Sequence, residues 1–286
     1  MDPFFHAGLK DIAGRYDGFI LDLWGVVHDG QAPYPGAVAT LRRLRELGKR
    51  VLLLSNAPRP SGIVSSFLAD MGVDERCYDF LVTSGDLVRA VLESGDGLPG
   101  RRCLMIGSDR DHGLLDGLDY TLAASPDAAD FVLCCGLRDD EKEKLDGYLP
   151  LLRAAQACAL PMICANPDLT VMRGRRLVLC AGTLAAAFEE MGGRVRYYGK
   201  PHAAAYEACF KRLDLPQGRV LAIGDSLRTD VAGAIAAGIA VLLIPGGIHA
   251  EEWGLMPGEL PQAAAIEVAF AAAGLRPSGV LAGLRW

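Results

Sequence analysis

Four apolar segments of the sequence end in side chains that can do chemistry. Asp22 ends FILD, Ser55 and Asn56 end VLLLSN, Lys200 follows RVRYYG, and Asp225 ends VLAIGD. An Asp or Ser after a strand is more often a turn former or a helix cap, so each position alone is weak evidence. Together, two acids, a hydroxyl and an amine at the ends of neighbouring strands would form one compact polar cluster.

Such a cluster has the composition of a phosphoryl-transfer site. A carboxylate that faces a bound Mg²⁺ can attack a phosphorus centre and form an aspartyl-phosphate intermediate. The cation offsets the repulsion between the carboxylate and an anionic phosphate, and it takes oxygen ligands. Asp22 and Asp225 would supply these ligands, with Asp230 close by in GDSLRTD. Ser55 and Lys200 would hold the phosphoryl oxygens and neutralise their charge.

The elements that must position these residues alternate between strands and helices. The predicted strands are 18–23, 50–55, 80–83, 103–106, 131–134, 161–164, 194–197, 219–223 and 240–244. The predicted helices are 35–47, 60–71, 141–157, 183–191, 203–213 and 229–237. Strands that are apolar on both faces and alternate with helices predict an α/β fold, a doubly wound parallel sheet. In such sheets ligands bind beyond the carboxyl ends of the strands.

The composition of the chain indicates which kinds of partner it lacks and in which cellular compartment it works. The chain has 286 residues, 51% of them hydrophobic, and a formal net charge of −6, which argues against a nucleic-acid partner. It contains no apolar span of about 20 residues, and MDPFFHAGLK has no apolar core of signal-peptide length, so we expect no membrane partner. Eight cysteines without a C-x-x-C pair predict buried thiols in a reducing compartment. We expect a cytoplasmic protein.

The ordered set DLWGVVHDG, LLLSNAPR, YYGKPH and AIGDSLRTD resembles the four motifs of the haloacid dehalogenase (HAD) superfamily. The long segment between the second and third motifs, with CANPDLTV and AGTLAAAFEEMGG, resembles class IIA, the subgroup of nitrophenylphosphatase-like enzymes and bacterial nucleotide and sugar phosphatases. The resemblance implies a Rossmann-like core of residues 1–83 and 197–286, with an inserted C2-type α/β cap of residues 84–196. It also implies Mg²⁺ as cofactor and a small phosphorylated metabolite as substrate. Association into a homodimer is common among similar proteins, and the sequence does not specify it.

The resemblance also assigns roles at the strand ends. It implies that Asp22 is the nucleophile and that Ser55, with the backbone of Asn56, binds phosphate. Lys200 corresponds to the lysine of the third motif, and Asp225 to a direct Mg²⁺ ligand.

Three further residues receive less definite roles. Asp230 corresponds either to a water-mediated ligand or to an anchor for its loop and for Lys200. Asn166 and Asp168 fall on a cap loop that comes near the active site in similar proteins, and an Asn-Pro-Asp turn needed only for shape explains them equally well.

Trp24 departs from the family pattern. Phosphatases of this superfamily usually carry a second aspartate two residues after the nucleophile, which protonates the leaving alkoxide and then activates water. An indole can do neither, and losing general acid–base help costs roughly 10²–10⁴ in rate. The backbone carbonyl that this position offers to Mg²⁺ in the family survives the change.

Several consequences of Trp24 stay open. Aryl, acyl or anhydride phosphates need little protonation and could still react. His28 and Asp29 are the nearest residues that could replace the acid, although a lone loop histidine is more often a packing residue. Trp24 could also simply pack against the cap or stack on a ring.

The sequence therefore predicts a Mg²⁺-dependent phosphatase. The alternative is a catalytically impaired protein of the same fold that binds or senses a phosphorylated ligand. Dehalogenase chemistry is disfavoured, because it needs no Mg²⁺ and the GDSLRTD loop is acidic.

Overall fold

A computed structural model describes residues 4–174, 176–256 and 258–286 of the chain. Within these residues the strands are, in chain order, β1 (Phe5–His6), β2 (Gly18–Leu21), β3 (Arg50–Ser55), β4 (Phe80–Thr83), β5 (Arg102–Ile106), β6 (Thr121–Leu122), β7 (Phe131–Cys134), β8 (Pro161–Cys164), β9 (Thr170–Arg173), β10 (Arg176–Leu179), β11 (Arg194–Tyr197), β12 (Val220–Gly224), β13 (Ala240–Leu243) and β14 (Gly279–Leu281).

The α-helices of the described residues follow the same order. They are α1 (Lys10–Ala13), α2 (Ala37–Glu46), α3 (Ser61–Asp70), α4 (Ser84–Ser94), α5 (Leu149–Ala157), α6 (Ala181–Glu190), α7 (Ala203–Leu213), α8 (Ala232–Ala236), α9 (Ala250–Trp253) and α10 (Ala263–Ala273). Among them, none combines the length and the apolar composition that crossing a membrane requires.

The larger sheet has seven described strands, all parallel, in the order β1-β14-β13-β12-β2-β3-β4. Its centre is buried on both faces. Phe19 and Leu21 of β2 contact the core on one side, and Ile20 contacts the core on the other, as the two-residue period of a strand requires. The predicted α/β fold, a Rossmann-like doubly wound parallel sheet, is confirmed.

The segment between β4 and the third motif builds a second, smaller unit. Its five described strands are parallel and lie in the order β11-β8-β7-β5-β6. An antiparallel hairpin of β9 and β10 follows β8, and within the described residues its two strands pair with each other and with no further strand. Tyr197 pairs with Cys164 in this sheet, so the predicted start of the second core segment at 197 falls on the last residue of the smaller sheet.

Two predicted helices differ from the structure. The helix predicted over 141–157 is α5, which begins only at Leu149, because Pro150 fits the first turn of a helix and not its interior. Ahead of it, the hydroxyl of Tyr148 donates to Glu143 at 2.5 Å and closes a turn. The helix predicted over 229–237 is a π-helical turn, Leu227–Val231, followed by the short α8.

Several elements were missed by the sequence prediction, among them α4, α10 and the hairpin of β9 and β10. Helix α4 is capped by Thr83, whose hydroxyl accepts from the backbone of Asp86 while the Asp86 carboxylate accepts from the backbone of Thr83. The hairpin of β9 and β10 and the C-terminal helix α10 also lay outside the predicted set.

Candidate active site

The central strands of the larger sheet bring three predicted site residues to one edge. Asp22 directly follows β2, Asp225 directly follows β12, and Ser55 is the last residue of β3. These strands are neighbours in the order β12-β2-β3. The backbone N–H of Asp22 donates to the carbonyl of Ile223 at 2.9 Å, which continues the ladder to the aspartate itself. The carboxyl ends of adjacent parallel strands therefore place these side chains together.

Lys200 enters the cluster from the loop between β11 and α7. Its Nζ donates to Asp22 Oδ1 at 2.5 Å and to Asp230 Oδ1 at 2.7 Å, and its side chain is only 3% exposed. Burial opposes the charged form, but the charges of Asp22 and Asp230 outweigh it and raise the pKa of Lys200 well above its ordinary value. Lys200 is therefore a fixed positive charge beside the predicted nucleophile.

When all three are ionised, the aspartates of this cluster carry more negative charge than Lys200 offsets. Oxygen atoms of Asp22, Asp225 and Asp230 all lie within 4.8 Å of one another, and all three residues are buried. Burial raises the pKa of Asp22 to about 7. Burial, reinforced by the charge of Asp22, raises the pKa of Asp225 well above its ordinary value. The cluster is thus one that an added cation would stabilise.

The donor set fits a small, hard cation such as Mg²⁺. Asp22 Oδ2 and Asp225 Oδ1 accept no hydrogen bond from any described residue, so both remain available as oxygen ligands. A Cβ atom on Gly25 or Gly247 would collide with the carboxylate of Asp225, so only glycine leaves space for that carboxylate. Asp230 instead uses both oxygens, accepting from Lys200 and from the backbone of Ser226, which suits an anchor.

Ser55 and Asn56 lie beside this cluster but differ in what holds them. Ser55 is buried, and its Oγ accepts from the backbone N–H of Ala57 at 3.2 Å. The side chain of Asn56 accepts from the Lys200 backbone at 2.7 Å and donates to the Lys200 carbonyl at 3.1 Å. It also donates to Asp168 Oδ1 at 3.0 Å. The Asn56 side chain therefore links the core to the cap and fixes Lys200. The backbone of Asn56 remains available for the predicted contact with phosphate.

A cavity of about 140 Å³ lies over the cluster, between the two units. Core and cap both contribute to its walls. The core side includes Asp22, Trp24, Ser55, Asn56, Arg59 and Asp225, and the cap side includes Asp111, Cys135, Asp140, Asn166, Asp168, Arg173 and Cys180.

The cap loop with Asn166 and Asp168 is clamped at several points. The backbone N–H of Asp168 donates to Asn166 Oδ1 at 3.0 Å, and the guanidinium of Arg228 donates to the carbonyl of Pro167. Burial raises the pKa of Asp168. Helix α6 packs against the same loop through Gly182, whose N–H donates to the Asp168 carbonyl at 3.1 Å. The structure thus brings both predicted loop residues to the cavity.

Trp24 lines the cavity, whereas His28 and Asp29 do not lie among its described lining residues. The indole packs on Gly30, where a Cβ would collide with the ring, and it meets the imidazole of His28 edge to face at 5.1 Å. His28 is 1% exposed, and its Nδ1 accepts from the backbone of Gly30 at 2.9 Å. Burial lowers the pKa of His28 to about 4. Asp29 Oδ1 accepts from the backbone N–H groups two and three residues further along the chain. The position of these two residues therefore gives no support to either as a substitute acid.

Two ion pairs of the cavity wall carried no signal in the sequence. Arg59 Nε donates to Asp111 Oδ1 at 3.1 Å, from core to cap. Arg173 of β9 holds both oxygens of Asp140, at 3.0 and 2.6 Å. Their partners are separated by 52 and 33 residues, so only the folded chain brings them together.

Comparisons with known proteins agree with this architecture. Models of haloacid dehalogenase-like hydrolases match residues 19–121 and 100–238, and a HAD-hydrolase-like model matches residues 197–281. A haloacid dehalogenase-like hydrolase from Brucella suis 1330 is 39% identical, with a TM-score of 0.84 over 97% of this chain and 98% of that chain.

Characterised relatives are more distant. D-glycerol 3-phosphate phosphatase of Mycobacterium tuberculosis is 29% identical over 84% of this chain and 66% of its own length. A structure of glycerol phosphate phosphatase from that organism in complex with magnesium has a TM-score of 0.62 and 28% identity, covering 83% of this chain and 70% of that chain. Human chronophin is 28% identical over 85% of each protein. The chain spans about two thirds of the mycobacterial protein and most of the other two relatives. The resemblance read from the four motifs is thus confirmed, and the chain belongs to the haloacid dehalogenase-like hydrolase family.

Proposed function

We propose that this chain is a Mg²⁺-dependent phosphatase that hydrolyses a small phosphorylated metabolite through Asp22. One observation carries the proposal: Asp22 accepts from Lys200 at 2.5 Å within a buried cluster of three aspartates, and Asp22 and Asp225 of this cluster line the cavity between core and cap. The phosphatase names of the mycobacterial relative and the cavity of about 140 Å³ support a small phosphomonoester as substrate.

In the first half of the reaction Asp22 attacks phosphorus. The bond between phosphorus and the leaving oxygen breaks, and the phosphoryl group is transferred to the Asp22 carboxylate. Lys200 neutralises charge on the phosphoryl oxygens, and the Ser55 hydroxyl with nearby backbone N–H groups binds them. In the second half, water attacks the same phosphorus and releases inorganic phosphate, which regenerates Asp22.

The residues that would hold Mg²⁺ are Asp22, Asp225 and the backbone carbonyl of Trp24, with Asp230 as support. When bound, Mg²⁺ would offset the repulsion between the anionic substrate and the carboxylates. Asp230 fixes Lys200 at 2.7 Å and so keeps the ammonium directed at Asp22.

A second candidate function is a phosphoryl-ligand binding or sensor protein with impaired turnover. Trp24 is the observation that favours it, because the indole lines the cavity where the family usually carries an acid. Binding requires the cluster and the phosphate contacts but not proton transfer. Retained affinity for Mg²⁺ and phosphate without turnover would separate it from the phosphatase.

Hydrolysis of p-nitrophenyl phosphate tests the proposed function. Nitrophenolate leaves without protonation, so this ester tests the nucleophile alone. We expect turnover that requires Mg²⁺ and that disappears in Asp22→Asn, which keeps the shape of the side chain but removes its charge. Asp127→Asn, at an exposed position of the cap, is the matched control and should turn over as the unmodified protein does. Turnover that is equal with and without Mg²⁺, or that survives in Asp22→Asn, would contradict the proposal.

A further inference from the structure

An ester with a poor leaving group needs a proton donor in the cavity. The leaving oxygen departs as an alkoxide unless an acid protonates it, and such help contributes about 10²–10⁴ in rate. Trp24 cannot supply this proton. Among the described residues that line the cavity, the candidates are therefore the remaining carboxyl and thiol groups.

Two of the carboxyl groups already accept hydrogen bonds on both oxygens. Asp111 uses one oxygen for Arg59 at 3.1 Å and the other for Ser108 at 2.7 Å. Both oxygens of Asp140 are held by Arg173, which also keeps the pKa of Asp140 low and the carboxylate ionised.

The two thiols of the cavity wall are also poor donors. Burial raises the pKa of Cys135 and of Cys180 above the ordinary value of a thiol, so each holds its proton more tightly than an ordinary cysteine does.

Asp168 is in a different situation. Its Oδ1 accepts one hydrogen bond, from Asn56 at 3.0 Å, and its Oδ2 has no partner among the described residues. The pKa of this carboxyl is raised by burial, which favours the protonated form that a donor needs. One oxygen is thus fixed in place while the other is free to act in the cavity.

The loop that carries Asp168 is held by hydrogen bonds from within the loop, from the core and from helix α6. Asn166 fixes its backbone from within, Arg228 holds the Pro167 carbonyl, and Gly182 approaches from helix α6. Asp168 enters the cavity from the cap, whereas Asp22 enters from the core sheet. In-line transfer places the leaving oxygen on the side of phosphorus away from the nucleophile, so a donor from another element of the fold suits the reaction.

We propose that Asp168 is the proton donor that replaces the acid missing at Trp24. The proposal rests on the proposed phosphatase function. As the bond between phosphorus and the ester oxygen breaks, the Asp168 carboxyl gives its proton to that oxygen and the alcohol leaves neutral. The Asp168 carboxylate then takes a proton from the water that attacks the phosphorylated Asp22, which restores both aspartates and yields inorganic phosphate.

The test compares esters that differ only in how much protonation the leaving group needs. The probes are p-nitrophenyl, phenyl and 4-methoxyphenyl phosphate, each with saturating Mg²⁺. Asp168→Asn keeps the Asn56 hydrogen bond, because an amide oxygen also accepts, but it removes the acidic proton. We expect kcat/KM for phenyl phosphate to fall about 10²-fold or more, and that for p-nitrophenyl phosphate to fall less than about tenfold. The ratio kcat/KM reports the first half-reaction, so slower dephosphorylation of Asp22 does not obscure the comparison.

Asp140→Asn is the matched control, since it removes another cap carboxylate of the same cavity. It should change kcat/KM for the three esters by a common factor. A common factor in Asp168→Asn as well would show that Asp168 only positions the cap loop, and it would overturn the proposal; so would no change at all. Failure of the unmodified protein to hydrolyse any of these esters, or full activity in Asp22→Asn, would instead overturn the proposed function itself.

Two further measurements keep the inference testable if Asp168→Asn folds poorly. In the unmodified protein, kcat/KM should depend only weakly on the acidity of the leaving group, and a steep decline from p-nitrophenyl to 4-methoxyphenyl phosphate would contradict a donor. Trp24→Asp in the Asp168→Asn background should restore phenyl phosphate hydrolysis. If the double variant folds but hydrolyses phenyl phosphate no faster than Asp168→Asn, the defect of Asp168→Asn is not the loss of a proton donor, and the proposal is contradicted.

Discussion

In this site, single side chains form hydrogen bonds with two different residues. Lys200 donates to Asp22 at 2.5 Å and to Asp230 at 2.7 Å, and Asn56 holds both the Lys200 backbone and the cap residue Asp168. Asp22, Ser55 and Asp225 could be predicted because an apolar strand that ends in a polar residue is a local signal. The bond from Asn56 to Asp168 spans 112 residues, and no local pattern indicates it.

The buried side chain of His28 should make the free energy of unfolding depend on pH. Burial lowers its pKa from 6.5 to about 4, so between these values the unfolded chain binds a proton that the folded chain does not. His28 therefore has almost no effect well above pH 6.5, and it lowers the free energy of unfolding progressively as pH falls from there toward 4. From about pH 7.5 to about pH 5 this amounts to about 2 kcal/mol.

The measurement is urea unfolding of His28→Asn beside the unmodified protein at both pH values. Asn retains an acceptor for the Gly30 backbone but does not titrate. We expect the variant to lose about 2 kcal/mol less than the unmodified protein between the two pH values. An equal loss in both proteins would show that His28 does not stay neutral in the fold.

At the scale of elements, the buried central strands were easier to predict than the segments that connect them. Strand β2 is buried on every residue, so its sequence carries a strong signal. The strands of the β9–β10 hairpin are short and largely accessible, and among the described strands they pair with each other alone. Their alternation of apolar and polar residues is correspondingly weak. Helix α5 was predicted too long, because the periodicity upstream of Pro150 belongs to turns closed by Tyr148 and Glu143.

Gly182 tests how closely helix α6 must approach the cap loop. A Cβ at this position would lie 2.5 Å from the Asp168 carbonyl oxygen, and it would also collide with that of Pro167, both of them backbone atoms that cannot rotate away. Gly182→Ala should therefore destabilise the protein by about 1–3 kcal/mol and displace the loop, which lowers kcat/KM.

Gly14→Ala is the matched control for this change. Its backbone has a φ of −63° and a Cβ there would meet no atom within 4 Å. Thermal unfolding and kcat/KM of this variant should stay close to those of the unmodified protein. A Gly182→Ala protein with unchanged stability and activity would mean that the loop can shift at no cost.

At the scale of the whole molecule, the site belongs to neither unit alone. The core sheet supplies Asp22 and Asp225, the cap supplies Asp168, and the cavity lies between them. The resemblance of the motifs to those of the HAD superfamily implied a core and a cap, but the walls of the cavity depend on how the cap lies over the core.

Mg²⁺ should stabilise the whole fold, because a ligand that binds only the folded state shifts the unfolding equilibrium. At 100 times its dissociation constant the gain is about 2.7 kcal/mol. Asp225→Asn should abolish this gain. It should also make the metal-free protein more stable, because burial and the charge of Asp22 disfavour the ionised carboxyl of Asp225 in the fold. Thermal unfolding with MgCl₂, against NaCl at equal ionic strength, measures both effects. A gain from Mg²⁺ in Asp225→Asn equal to that of the unmodified protein would place the cation elsewhere.

The central claim is that Asp22 carries the phosphoryl group between the two halves of the reaction. Rapid acid quench of the Mg²⁺-loaded protein during turnover of p-nitrophenyl phosphate, followed by mass spectrometry of its peptides, measures this most directly. We predict one added phosphoryl group on the peptide that contains Asp22, and none in Asp22→Asn. Turnover without a phosphorylated Asp22, or with the phosphoryl group on another residue, would contradict the account.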